Sequence, residues 1–152
     1  MEITITPERP DTADASTLIA ELEDELAPLY PATSRHGYSV ERLLAQGVAF
    51  FVLRADGAPA GCGGVQLVGA EYGELKRMFV RPAFRGRGLA GRLLATLEGV
   101  ARERGAPLLR LETGVHQREA IALYRRYGFA PTGPFGPYNE DPLSLFFEKP
   151  LT

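Results

Sequence analysis

The chain has 152 residues and a formal charge of −2, from 17 Lys and Arg against 19 Asp and Glu. That balance argues against nucleic acid as the main partner, and the lone Cys62 excludes an internal disulfide or a cysteine-based zinc site. A chain this long carries a core without staples, and with 45% apolar and 24% charged residues positions 1–152 read as a single globular domain. No apolar run approaches the roughly 20 residues of a membrane span. Met1–Pro10 has no basic n-region or apolar h-region, so a cytoplasmic protein with no membrane partner is expected.

Ile3 and Ile5 alternate with Thr4 and Thr6, which predicts a short strand. Asp11 or Asp14 is placed to cap a helix whose apolar positions are Ala15, Leu18, Ile19, Leu22, Leu26 and Leu29. Pro28 and Pro31 end it. Ser39 caps a shorter helix, VERLLAQ, closed by Gly47. The period then changes. Val48–Arg54 reads as a strand, Asp56-Gly57 as a turn, and AGCGGVQLV as the returning strand. Gly61, Gly63 and Gly64 in that strand predict a bulge or a close backbone approach. Glu74–Val80 is a third strand, stopped by Pro82.

From Gly88 to Arg104 the spacing is helical again, with Leu89, Leu93, Leu97 and Val100 on one stripe. Leu108–Thr113 is a strand, REAIALYRRYG a helix ending at Gly128, FAPTGPFGPYNEDP mostly loop with a little strand, and LSLFFEK a closing strand. The order is β-α-α-β-β-β-α-β-α-β-β. One helix joins the strands on either side of the Arg/Gly segment, so that pair is expected to be parallel.

The segment RPAFRGRGLAGRLL, Arg81 to Leu94, places glycines and arginines between a buried strand and a long helix. Unpaired N–H groups at a helix start carry about half a positive charge. Gly86 and Gly88 let backbone approach a ligand, and Arg81, Arg85, Arg87 and Arg92 add donors. The combination predicts a phosphate or pyrophosphate site. GRGLAG fits the dinucleotide fingerprint by letter, but three consecutive strands precede it instead of an opening βαβ unit. A Walker loop would need a lysine that is absent. The helix's apolar stripe is claimed by the core, which argues against membrane binding.

ELKRMFVRPAFRGRGLAGRLL resembles the central motif of the GNAT (GCN5-related) N-acetyltransferases, in which Arg/Gln-x-x-Gly-x-Gly/Ala opens a helix after a strand. Here it reads Arg85-Gly86-Arg87-Gly88-Leu89-Ala90. QREAIALYRRYGF resembles the family's second motif at Ala120, Leu123, Tyr124, Gly128 and Phe129, with Gln117 where Asn is usual. The resemblance covers nearly the whole chain. It implies an α/β fold with a mixed, mostly antiparallel sheet of six or seven strands, splayed between the fourth and fifth and flanked by about four helices. It also implies acetyl-CoA as acyl donor. Two separated histidines and scattered carboxylates meet no metal-ligand spacing, so no metal is expected.

The resemblance implies that the pantetheine arm enters the splay and pairs with backbone of Met78, Phe79 and Val80, much as an added strand does. The pyrophosphate would rest on Arg85, Gly86, Arg87, Gly88, Leu89 and Ala90, and Gln117 would reach the pantetheine. A backbone N–H near Phe79 is the expected oxyanion donor. Tyr124 holds the family position of the general acid that protonates the leaving thiolate, although its spacing also suits a core aromatic. Glu74 is the first candidate for the base that neutralises the amine and Glu112 the second. Cys62, flanked by glycines and without a base, is not expected to carry the acyl group. His36 and His116 are lone histidines; His116 lies near the cofactor helix, within reach of substrate, but reads first as a solvated loop residue. Acceptor recognition falls to APLYPATSRHGYS and PTGPFGPYNEDP, with Tyr30, Arg35, Tyr38 and Tyr138 as leading candidates beside Ser34, Phe135, Asn139 and Glu140. The expected activity is acetylation of a primary amine of a small molecule or amino acid by direct attack in a ternary complex. A non-catalytic acyl-CoA sensor and a protein N-acetyltransferase stay open as alternatives. A homodimer is compatible with the fold class.

Overall fold

The computed structural model describes Met1–Thr152. Its elements are β1 (Ile3–Pro7), α1 (Ala13–Leu26), α2 (Val40–Ala45), β2 (Ala49–Ala55), β3 (Ala58–Val68), β4 (Tyr72–Val80), α3 (Leu89–Glu103), β5 (Leu108–Gly114), α4 (Arg118–Arg126), β6 (Ala130–Thr132) and β7 (Ser144–Pro150). Short 3-10 turns at Ala32–Ser34 and Pro82–Phe84 lie in the connecting loops. The order of elements is the one the periodicities predict. No helix is long and apolar enough to cross a membrane.

All seven strands form one sheet, ordered β1-β2-β3-β4-β5-β7-β6. β4 and β5 are parallel and every other neighbouring pair is antiparallel. The last strand inserts between β5 and β6, an arrangement that element order alone leaves open.

Strand alternation explains how both faces of the sheet are covered. Phe51 and Leu53 join a core with Leu89, Leu93, Leu94, Leu97, Leu109, Leu111, Tyr124 and Phe147, on the side of α3 and α4. Phe50 and Val52 face the other way and pack with Ala15, Leu18, Ile19 and Leu22 of α1 and Leu43 of α2. Each fully buried leucine contributes about 1.5–3 kcal/mol relative to exposure, so both helical layers are held by their apolar stripes. A third, aromatic cluster of Tyr72, Phe135 and Phe146 anchors the loop between β6 and β7.

The cap of α1 corrects one expectation. Thr12, not Asp11 or Asp14, is the cap, and its hydroxyl accepts from the Ala15 amide at 3.2 Å. Both aspartates are engaged by arginines instead: Asp11 by Arg9 and Asp14 by Arg54, each at 2.8 Å. Ser39 caps α2 as its sequence suggests, accepting from the Arg42 amide at 3.1 Å.

Candidate active site

β4 and β5 are hydrogen-bonded neighbours only at Gly73–Leu109 and Glu74–Arg110. β4 continues to Val80 and β5 to Gly114, so the two strands part and leave a gap. A bulge sits beside the gap. Register between β3 and β4 shifts between Cys62 and Gly64, and Arg77, opposite, adopts a left-handed φ of 55°. Gly61 is required there by close backbone approach, since a Cβ would lie 2.7 Å from the Phe79 carbonyl oxygen. The close approach expected of this glycine-rich strand is therefore present.

The other wall of the gap is the start of α3. Gly86 and Gly88 have φ of 79° and 74°, a region that L-residues with side chains enter only at a cost. A Cβ at either would meet nothing within 4 Å, so glycine is needed there for conformation, not for space. Gly88 caps the helix without any side-chain acceptor. The amides from Gly86 to Gly91 have no backbone partner within the chain. The Arg85 guanidinium donates from Nε to the Val80 carbonyl at 2.9 Å, and Nη2 pairs with Glu25 of α1 at 2.9 Å.

These elements border a cavity of about 760 Å³. Met78, Phe79, Val80, Arg85, Gly86, Gly88, Leu89, Ala90 and Gln117 line it, as does Tyr124. Arg87, grouped with them by its motif position, is not in that lining. Its guanidinium lies 5.9 Å from the Phe84 ring, at the exposed edge of the turn.

A second, smaller cavity of about 130 Å³ lies on the β4–β5 side, walled by Tyr30, Ser34, Arg35, His36, Arg77 and Glu112 among others. Leu22, Met78, Gln117, Ala120 and Tyr124 belong to both linings. The two spaces therefore meet along one wall, and Tyr124 is part of it. Tyr124 is buried, its ring 5.7 Å from that of Phe129. Burial lifts its phenol above the ordinary tyrosine range, and the charge of Glu112 lifts it further.

Gln117 stands just before α4 and is held by Tyr30. The Tyr30 hydroxyl donates to Gln117 Oε1 at 3.2 Å and accepts from the His116 amide at 2.9 Å. Gly114 makes room for that ring, because a Cβ there would overlap the phenol. The carboxamide oxygen of Gln117 is thus occupied, and its NH₂ group is the end left for a ligand.

The carboxylates occupy different environments. Glu74 is 3% exposed and lines neither cavity. It pairs with Lys76 Nζ at 2.7 Å and accepts from the Tyr138 hydroxyl at 2.5 Å. Lys76 in turn sits 3.8 Å above the Tyr38 ring. Tyr38 and Tyr138, read from sequence as acceptor contacts, therefore belong to a buried structural cluster around Lys76, whereas Tyr30 and Arg35 line the smaller cavity. Glu112 lines that cavity, and burial raises its carboxyl above the usual range, with His36 and Lys76 opposing. Cys62 is fully buried and its thiol is pushed up to about 12 by burial, which suits a packing residue.

Arg77 and Glu25 carried no signal in the sequence. Strand alternation cannot place Arg77, because the bulge breaks it, and Glu25 reads as one more acid on an exposed helix face. The glycines opposite the bulge were the available clue for the first.

Residues 16–129 match the Acetyltransferase (GNAT) family. An IAA acetyltransferase of Azospirillum brasilense is 48% identical over 150 residues, 98% of each chain. A chain from Klebsiella pneumoniae subsp. pneumoniae MGH 78578, assigned as an acyl-CoA N-acyltransferase, is 40% identical. It superimposes with a TM-score of 0.84 over 99% of this chain and 98% of its own. The PaiA N-acetyltransferase of Thermoplasma acidophilum, solved in complex with coenzyme A, shares the fold at a TM-score of 0.75 and 21% identity, covering 99% of both chains.

Proposed function

Because the chain belongs to the GNAT family of N-acetyltransferases, acyltransferases with acetyl-CoA as donor, we propose that it acetylates a primary amine of a small molecule by direct attack, with donor and acceptor bound side by side. The observation that carries this reading is the shared wall. Tyr124 lines both the 760 Å³ cavity and the 130 Å³ cavity, so one residue borders the spaces we assign to donor and acceptor. The residues present fit the donor. Six successive unpaired amides, Gly86 to Gly91, and the Arg85 guanidinium offer donors to a pyrophosphate. The Met78–Val80 edge offers backbone to a pantetheine arm.

Acetyl-CoA, when bound, supplies a thioester carbonyl open to attack. The chain's residues do the remainder. A lysine-like amine of pKa ~10.4 is neutral in about one molecule in a few thousand at pH 7, so a base is useful. Glu112 takes that role in our reading. It lines the acceptor cavity, and its raised carboxyl is matched better to neutral pH than an ordinary carboxylate. Glu74, the sequence's first candidate, is engaged at Oε2 by both Lys76 and Tyr138 and lines neither cavity, so we assign it to positioning β4. Tyr124, whose phenol holds its proton at neutral pH, is the acid for the departing thiolate. Backbone N–H near Phe79 is the oxyanion donor of this scheme. Gln117, clamped by Tyr30, presents its NH₂ to the pantetheine.

The test is a thiol-release screen with acetyl-CoA over amines, amino acids, polyamines and protein N-termini. Turnover with free small amines is expected. Silence across the panel while CoA still binds would replace this reading with an acyl-CoA sensor.

A further inference from the structure

Two arginines that wall the acceptor cavity each carry a buried nitrogen with no hydrogen-bond partner. Arg77 has 5% side-chain exposure. Its Nε donates to the Tyr38 carbonyl at 2.9 Å and its Nη2 to Glu23 Oε1 at 2.8 Å, but its buried Nη1 has no partner. Arg35 donates from Nη1 to Glu23 Oε2 at 3.2 Å, and its buried Nε has no partner either. A buried donor left unmade is costly, more so when charged. Two such nitrogens, on residues from distant parts of the chain that wall one small cavity, call for an acceptor atom that the protein does not supply.

Three further features agree. Glu23 is shared between the two guanidinium groups, one oxygen each, so it neutralises one of two positive charges and leaves one. Arg77 also sits in the left-handed region at φ 55°, a strained conformation for a side chain of this kind, and such strain concentrates at functional sites. Gly37 presses against the guanidinium, since a Cβ there would overlap Nη1, which fixes the group in place. Across the splay, on β5, the same cavity is lined by the Glu112 carboxyl. The lining thus has an acidic side and a basic side.

We infer that the acceptor is an amino acid with a free carboxylate, its carboxylate held by Arg77 and Arg35 and its amine directed to Glu112. The inference rests on the proposed amine acetylation and specifies its substrate class. A guanidinium suits a carboxylate because its N–H fork matches two oxygens. A peptide N-terminus lacks this match, because its first carboxyl is already an amide. Arg77 is then a specificity-determining residue of the acceptor site.

The experiment compares amino acids with their own primary amides, of nearly equal shape, at equal concentrations of neutral amine. The kcat/KM for the acid should exceed that for the amide by about tenfold to a hundredfold, the range of a charge-assisted hydrogen bond. Arg77→Gln and, separately, Arg35→Gln should erase most of that ratio while the KM for acetyl-CoA stays within about threefold of wild type. Arg77→Lys, which keeps the charge but not the fork, should restore part of the ratio. Equal turnover of acids and amides by the wild-type enzyme would overturn the inference and leave amine acetylation standing. So would arginine variants that lower both substrates by the same factor. Failure to acetylate any amine in the panel, with acetyl-CoA bound, would overturn amine acetylation and this inference with it.

Discussion

The two cavities are built from different materials. The larger takes its distinctive features from main chain: amides at the start of α3, glycines at φ 79° and 74°, and an open strand edge at Met78–Val80. The smaller is made of side chains from the α1–α2 loop, the β4 bulge and β5: Tyr30, Arg35, His36, Arg77 and Glu112. A main-chain site depends on conformation and tolerates change at its own side chains. A side-chain site depends on identity, and one substitution rewrites it. In the proposed scheme the donor half can therefore be common to many enzymes while the acceptor half is particular to one.

The strongest test of this division falls on the shared wall. Tyr124→Phe should lower kcat by about a hundredfold or more, the scale of general acid catalysis, with the KM for acetyl-CoA little changed. A parallel loss of donor affinity would mean that the tyrosine belongs to the donor half alone. Next comes Gly88→Ala. A Cβ there has free space, so any loss is conformational, about 1–2 kcal/mol for a left-handed residue. It should appear as a lower melting temperature and a higher KM for acetyl-CoA. Gly88→Asn should recover part of both, since asparagine enters that region more readily; an undiminished Ala variant would refute the main-chain account.

Glu112→Gln probes the acceptor half through pH. As a base, Glu112 works only when ionised, so wild-type kcat/KM should rise as pH climbs through its raised pKa, and the variant should lose that limb. Stability runs the opposite way. The folded state keeps the Glu112 proton after the unfolded chain has released it. Its contribution is full below the ordinary carboxylate pKa and is lost as pH rises through the raised value. Denaturant titrations of the Gln variant should lack that decline. An unchanged rate profile would move the base role elsewhere. The smallest effect is expected at Tyr30. Tyr30→Phe removes the hydrogen bond to Gln117, worth about 0.5–1.5 kcal/mol, so the KM for acetyl-CoA should rise only a few-fold. A change confined to the acceptor KM would place Tyr30 wholly in the smaller cavity.

The same division explains what could be read from the letters. Arg85, Gly86, Gly88, Leu89 and Ala90 lie within one continuous motif, so their gathering on the wall of the larger cavity could be read from local spacing and from resemblance to a family. The β2–β3 hairpin followed from the Asp56-Gly57 turn, and the parallel pairing of β4 with β5 from the single helix that joins them. The insertion of β7 between β5 and β6 did not, because it depends on pairing across 30 or more residues. The acceptor half was legible only in part. Tyr30 and Arg35, singled out by their loop, do line the smaller cavity. Tyr38 and Tyr138 looked identical to them in sequence but are drawn inward by Lys76, with Tyr38 beneath its ammonium and Tyr138 hydrogen-bonded to it. Glu74 looked like a base because it is a carboxylate on the right strand. Its neighbour two positions on, Lys76, lies on the same strand face and claims it. Arg77 was hidden by the bulge, which reverses the facing that alternation assigns.

The Tyr30 hydroxyl has one further consequence. It accepts from the amide just before α4 and donates to Gln117, while its own backbone belongs to the loop that carries Arg35 and His36. Whatever immobilises Gln117 also immobilises that loop. Occupancy of one cavity and order in the other are then thermodynamically linked, and linkage is reciprocal: each reactant should bind more tightly when the other is already in place. Initial-rate patterns should show this as synergism between acetyl-CoA and the acceptor, and Tyr30→Phe should weaken it.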